Sequence, residues 1–180
     1  MSVLVDTDAL IAVANTSLWD DVRRVEMVTT NVCKKELERH AEGRDDYLHE
    51  GAEAVLDEIG NEDGNIEVVT SVPRPHGKDA GETSIAQEVA QSDDYGTVAM
   101  MDAEGREIVR RRSDDVSVYS PVYLLYILLD NDIVSREEFC ECCAEMLRNE
   151  GWTGYMAVKS AWKGIPIDCS DVIDEDLYFS

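Results

Sequence analysis

The sequence predicts a three-layer α/β/α domain built on a central, mostly parallel sheet of four to five strands. Three observations carry that expectation. Short strand-like runs alternate with longer stretches of helical periodicity, the order that builds a parallel sheet covered on both faces. The first run, Val3-Leu4-Val5, is apolar without alternation, as a strand buried on both faces reads. A chain of 180 residues holds one domain with a real core and leaves little room for a second.

The elements follow in order. Val3-Leu4-Val5 leads into an apolar helical turn through Leu10, Ile11 and Val13. Met27-Val28-Thr29-Thr30 reads as the second strand, and Asn31 as the N-cap of a helix running to about Gly43. Leu48, Ala52, Val55, Leu56 and Ile59 recur at helical spacing across a segment from Asp46 to Gly60. Asn61 to Asn65 is a turn and Ile66 to Thr70 a third strand. Pro73, Pro75 and Gly77 form a loop that delivers the chain to a helix near Asp79–Gln91.

Thr97 to Met101 is the fourth strand, followed by a polar helix from about Glu104 to Arg112 and a short fifth strand, Val116 to Tyr119. Ser120-Pro121 starts an apolar helix with a cap and a proline at its first position. Ser135-x-x-Glu138 is a capping box for one more helix, which Gly151 ends. Ile165-Pro166-Ile167 suits an edge strand, and the acidic tail beyond it reads as loose.

The charge is the unusual feature of the composition. Asp and Glu number 39 against 16 Lys and Arg, a formal net charge of -23. The acids are spread in pairs such as Asp20-Asp21 and Asp114-Asp115, so no single tail carries them. At low salt such a surface repels nucleic acid and anionic membrane alike. At about 1 M salt the Debye length is only about 3 Å, which silences the net charge beyond direct contacts. The composition therefore reads as that of a halophile. The longest apolar run, Val122 to Leu129, is too short to span a bilayer. With no targeting segment in view, the expected localisation is cytoplasmic. Five cysteines, Cys33, Cys140, Cys142, Cys143 and Cys169, form an odd set without framework spacing, which suits a reducing cytosol.

In a doubly wound sheet, ligands bind beyond the carboxyl ends of the strands, near a topological switch point. The first strand ends in Asp6 and the fourth in Asp102, with Glu104 two residues later. The second strand leads into a helix carrying Glu36, and the third leads to Asp79 and Glu82. Carboxylates at four neighbouring positions suit a hard cation, because converging like charges are tolerable when a cation neutralises them. In so acidic a chain some carboxylate follows each strand by chance. A charge directly abutting a core strand, as at Asp6 and Asp102, is less casual.

The same positions carry a resemblance. Val3-Leu4-Val5-Asp6-Thr7-Asp8-Ala9-Leu10-Ile11 looks like the opening of a PIN domain, and Lys35-Glu36-Leu37 is similar to the acid-bearing stretch of the family's first long helix. Ala80-Gly81-Glu82-Thr83-Ser84-Ile85-Ala86 resembles its third acidic motif, and Val98 to Arg106 its fourth, including the Arg shortly after the acid. Four motifs in the family's order cover residues 1 to about 150, leaving 151–180 as a C-terminal extension. One departure is that the fourth motif often reads Asp-Asp, whereas Ala103 follows Asp102 here.

The resemblance implies a PIN-like, VapC-like endoribonuclease that is metal-dependent and prefers single strands, here from a halophilic archaeon. It implies Asp6, Glu36, Glu82 and Asp102 as the catalytic, metal-binding set for Mg²⁺ or Mn²⁺, with Asp79 as the alternative to Glu82. It also implies an RNA substrate, a homodimer, and either an antitoxin partner, as for a toxin of a toxin–antitoxin pair, or a role in RNA processing.

Gly105 to Arg112 is the most basic part of the chain and begins beside Asp102. Arg106 is accordingly the candidate for holding a substrate phosphate, against the plainer reading of a solvated helix face. Lys34, Lys35 and Lys78 also flank acidic motifs. Cys140, Cys142 and Cys143 lack a second pair at ribbon spacing, so core packing is preferred to zinc. His40, His49 and His76 form no spaced pair and default to the surface.

Two rival functions stand beside the nuclease. Asp6-Thr7-Asp8 after a strand looks like the motif of haloacid dehalogenase-type phosphatases. That motif wants Thr or Val where Leu10 stands, and neither Lys78 nor Asp93-Asp94 completes it convincingly. The other rival is a non-catalytic PIN-like binding or assembly module.

Overall fold

A computed structural model describes residues 2–44, 46–71, 80–92, 94–148, 165, 167–169 and 171–172. The order of elements is β1 (Val3–Val5), α1 (Thr7–Ala14), α2 (Trp19–Val22), β2 (Met27–Thr30), α3 (Asn31–Ala41), α4 (Asp46–Gly60), β3 (Ile66–Val69), α5 (Ala80–Gln91), β4 (Thr97–Ala99), α6 (Ala103–Arg110), β5 (Ser117–Tyr119), α7 (Val122–Asp130) and α8 (Arg136–Arg148). The five strands form one sheet in the order β3-β2-β1-β4-β5, and every pairing is parallel. The expected α/β architecture is therefore present.

Alternation within the strands assigns side chains to two layers. Val3, Val5 and Ala99 face a core shared with α1, α7 and α8, where Leu10, Leu124, Leu128 and Phe139 are fully buried. Leu4, Val98 and Val118 face the other layer, where Ile85 and Val89 of α5 and Val109 of α6 pack. β1 is the central strand, buried on both sides, which is why its three residues are all apolar.

Local differences from the expected elements have identifiable causes. The N-cap of α3 is Thr30, whose side chain accepts from Cys33 N at 3.2 Å. Asn31 instead accepts from Ser71 N, 40 residues away, so tertiary structure recruits the second of two adjacent capping residues. Ser120 Oγ accepts from Val122 N as expected of a cap, although α7 begins one residue beyond Pro121. The capping box closes both ways, Ser135 N to Glu138 Oε2 and Glu138 N to Ser135 Oγ. The short α2 has no counterpart among the expected elements. Ile165 and Ile167 are not in a strand.

The reading of the cysteines as unpaired needs correction. Cys140 of α8 and Cys169 form a disulfide with a Cα separation of 5.4 Å, fastening the C-terminal segment to that helix. Arg136 reinforces the join by donating to Asp171 and to the Asp168 carbonyl. Cys33, Cys142 and Cys143 are free and buried, as core packing requires. Among the described residues no helix is long and apolar enough to cross a membrane.

Candidate metal and active site

Strand order creates the site. From β1 the chain steps to β2 and β3 on one side, and β4 then returns to the other side of β1. The crevice at that switch lies between the carboxyl ends of β1 and β4, where Asp6 and Asp102 stand.

Asp6 is the N-cap of α1 and only 5% exposed. Its Oδ1 accepts from Ala9 N at 2.7 Å and its Oδ2 from Met101 N at 3.1 Å. Burial nevertheless pushes its carboxyl well above the usual range, and the charges of Asp8 and Glu82 push the same way against those two N–H groups. Asp102 is the exposed N-cap of α6, with Oδ2 accepting from Gly105 N at 2.6 Å. The two acids thus share a local role, capping the helix that follows their strand.

Glu36 comes from α3. Its Oε2 accepts from the Thr7 hydroxyl at 2.7 Å and its Oε1 from Gly81 N at 3.1 Å. This residue ties α1, α3 and α5 together at the crevice. Gly81 permits that close approach, since a Cβ there would meet Glu36 Oε2 and the carboxylate would have to shift. Glu82, half-buried in the first turn of α5, lays its stem against Gly105, where a Cβ would lie 3.1 Å from Glu82 Cγ. Thr30 and Ser84 hydroxyls meet at 2.6 Å, and Ser84 Oγ donates to Gly81 O at 2.6 Å. That buried hydroxyl pair fixes the start of α5, and with it Gly81 and Glu82, against the end of β2.

Asp8, which the sequence offers as part of the opening motif and of the rival Asp6-Thr7-Asp8 pair but not as a metal ligand, joins the electrostatic group. It is exposed at the rim, but the surrounding protein still desolvates it and raises its pKa, with Glu36 and Asp102 adding and His40 opposing. Its position two residues beyond Asp6 on α1 was the available signal. Glu104 is exposed in the first turn of α6. Asp79 and His76 lie outside the described residues. His49 is half-buried, with Nδ1 at 2.7 Å from Ala41 O.

Arg106 is 6% exposed, and its Nη1 donates to the carbonyls of Met100 at 2.9 Å and Met101 at 2.7 Å. Burial, helped by the neighbouring charge of Arg110, lowers its pKa, and the carboxylates of Asp102 and Asp6 oppose that shift. The other arginines of this stretch, Arg110, Arg111 and Arg112, are exposed.

All four expected acids therefore gather at one end of the sheet: Glu82 acts on the charge of Asp6, and Glu36 and Asp102 both act on that of Asp8. They do not converge on a point. Among the described residues no three His, Cys, Asp or Glu side chains sit close enough to hold one metal ion. The reason is visible for Asp6, Glu36 and Asp102, each of which is turned onto a backbone N–H. In donor chemistry the set fits a hard divalent cation: the ligands are all carboxylate oxygens, and each keeps lone pairs beyond those its N–H partners use.

A family model described as a halobacterial PIN domain matches residues 1–179. No curated protein and no solved structure matches the chain.

Proposed function

Because the chain belongs to the halobacterial PIN-domain family, we propose that it is a metal-dependent endoribonuclease that hydrolyses phosphodiester bonds of single-stranded RNA. The observation that carries this reading is the placement of Asp6 and Asp102 on either side of the sheet's switch point, with Glu36 and Glu82 brought beside them by α3 and α5.

Asp6, Asp102, Glu36 and Glu82 would hold Mg²⁺ or Mn²⁺. When bound, the ion supplies neutralisation of the scissile phosphate and a water of lowered pKa. The chain's own residues supply the rest. Ala9 N–H and Met101 N–H keep the Asp6 carboxylate oriented, and the Thr7 hydroxyl and Gly81 N–H do the same for Glu36. Glu36 or Glu82, on the α3–α5 side, positions the attacking water for a 5′-phosphate product. The family's halobacterial character fits the charge of -23, since molar salt removes the long-range repulsion that RNA would otherwise meet.

The test is RNA cleavage in molar KCl with Mn²⁺ or Mg²⁺, comparing the wild type with Asp6→Asn and Asp102→Asn. Chelator-sensitive cleavage lost in both variants supports the enzyme. No cleavage by folded, metal-loaded wild type favours the second reading, a non-catalytic PIN-like assembly module. That reading has one observation in its favour, the lack of a preassembled three-ligand group among the described residues. A small, separately encoded protein that binds the chain and suppresses cleavage would mark the nuclease as the toxin of a toxin–antitoxin pair.

A further inference from the structure

We propose that Arg106 is a positioning residue, a clasp that fixes Asp6 and Asp102 relative to each other through two consecutive peptide groups of the β4–α6 connection. In its consequence for metal binding, the inference rests on the site reading above.

A guanidinium is costly to bury unless its hydrogens are spent on well-placed acceptors. Arg106 is the one arginine of its basic stretch that is buried, and its Nη1 bonds two acceptors, Met100 O at 2.9 Å and Met101 O at 2.7 Å. Each of those carbonyls belongs to a peptide that matters. Met100 C=O is part of the same peptide unit as Met101 N–H, and that N–H donates to Asp6 Oδ2 at 3.1 Å. One peptide plane is therefore held by Arg106 on one side and by Asp6 on the other. A carbonyl bonded to a cation also makes its own N–H a stronger donor, because hydrogen bonds in series polarise each other. The next peptide, whose carbonyl is Met101 O, is the one that carries Asp102. Arg106 N–H closes the turn by donating to Asp102 O at 3.0 Å. One side chain thus sets both the donor to Asp6 and the backbone of Asp102.

A positive charge beside a cation site also has an opposing effect, since it repels the incoming metal. The two effects differ in sign, so a binding measurement separates them. Titrations of Mn²⁺ followed by calorimetry would compare the wild type with Arg106→Met and Arg106→Gln, with Arg106→Lys as the conservative variant. The clasp predicts affinity about 10–100-fold weaker in the Met and Gln variants despite the lost repulsion, with Lys restoring most of it. Should the Met variant fail to fold, the Gln variant, which keeps a polar group in place, carries the same expectation. Unchanged or tighter Mn²⁺ binding in either folded variant overturns the proposal.

Amide hydrogen exchange supplies a readout without metal. Met101 N–H should lose protection in the Gln variant while Leu4 N–H, in the central strand, keeps its own. If the wild type binds no Mn²⁺ at all, the metal reading falls, and the exchange decides the clasp alone. Faster Met101 exchange then upholds it, and an unchanged rate rejects it.

Discussion

Asp6 and Cys143 invite comparison, because each is ionisable, fully enclosed and pushed toward its protonated form chiefly by loss of water. Their surroundings differ. Asp6 receives two backbone N–H groups and is pressed by other carboxylates, so the fold both solvates and crowds its charge. Cys143 sits on α8 in the apolar core with Phe139 and Leu128, and its largest charge influence is the neighbouring thiol of Cys142. A perturbed pKa is common to both regions and marks neither as functional. Donors aimed at the charged form, together with like charges gathered around it, distinguish a site from a core.

The largest expected effect tests that distinction directly. Asp6→Asn should reduce RNA cleavage by at least about 100-fold, with a melting temperature within about 5 °C of wild type. Cys143→Ala should do the reverse, losing about 1 kcal/mol of stability while cleavage per folded molecule is kept. Equal losses of cleavage in both variants would erase the proposed difference between the regions.

The disulfide belongs to the α8 side and should act on stability alone. For a loop closed over 29 residues, chain-entropy arguments give about 3–4 kcal/mol. Denaturation of the Cys140→Ala/Cys169→Ala double variant measures it. A parallel drop in Mn²⁺ affinity would show that the two regions are coupled.

At the site, Gly81→Ala sharpens the same contrast. A helical alanine normally stabilises by up to about 1 kcal/mol over glycine. Here the added methyl meets Glu36 Oε2, and the expected outcome is a net loss of about 1–3 kcal/mol from overpacking, with weaker Mn²⁺ binding. A stability gain in urea denaturation would mean that Glu36 moves aside freely.

The last contrast is read in the thiols. Burial first pushes Cys142 up to about 11, whereas an unfolded cysteine titrates near about 8.5. The folded state therefore holds its proton more tightly. The stability this contributes is complete below about pH 8.5 and is lost as pH rises toward about 11. Thiolate absorbance at 240 nm should be lower at pH 9.5 in native than in urea-unfolded protein, and equal values would contradict the enclosed α8 core.

The sheet was legible because its strands are brief apolar runs, and because Asp6 and Asp102 interrupt them abruptly. Glu36 and Glu82 were legible through the family's motif order more than through spacing, since acids are everywhere in this chain. Three features depend on tertiary contacts that local sequence does not encode. Asn31 and Thr30 are equally good caps until Ser71 claims one of them. Cys169 has no local signature tying it to Cys140. A run of arginines gives no hint that Arg106 alone turns inward to the carbonyls of Met100 and Met101. The close approach at Gly81 was likewise invisible, because the atom that a side chain there would meet comes from residue 36.

The bond from Met101 N to Asp6 joins residues 95 positions apart, and that separation has a meaning in time. On a ribosome adding about 5–20 residues per second, Asp6 waits roughly 5–20 s for the partner that orients it. Throughout that interval β1, the central strand, lacks its β4 neighbour, and the crevice has only one wall. A growing chain therefore carries the first acid of the crevice long before it carries the second wall that orients it.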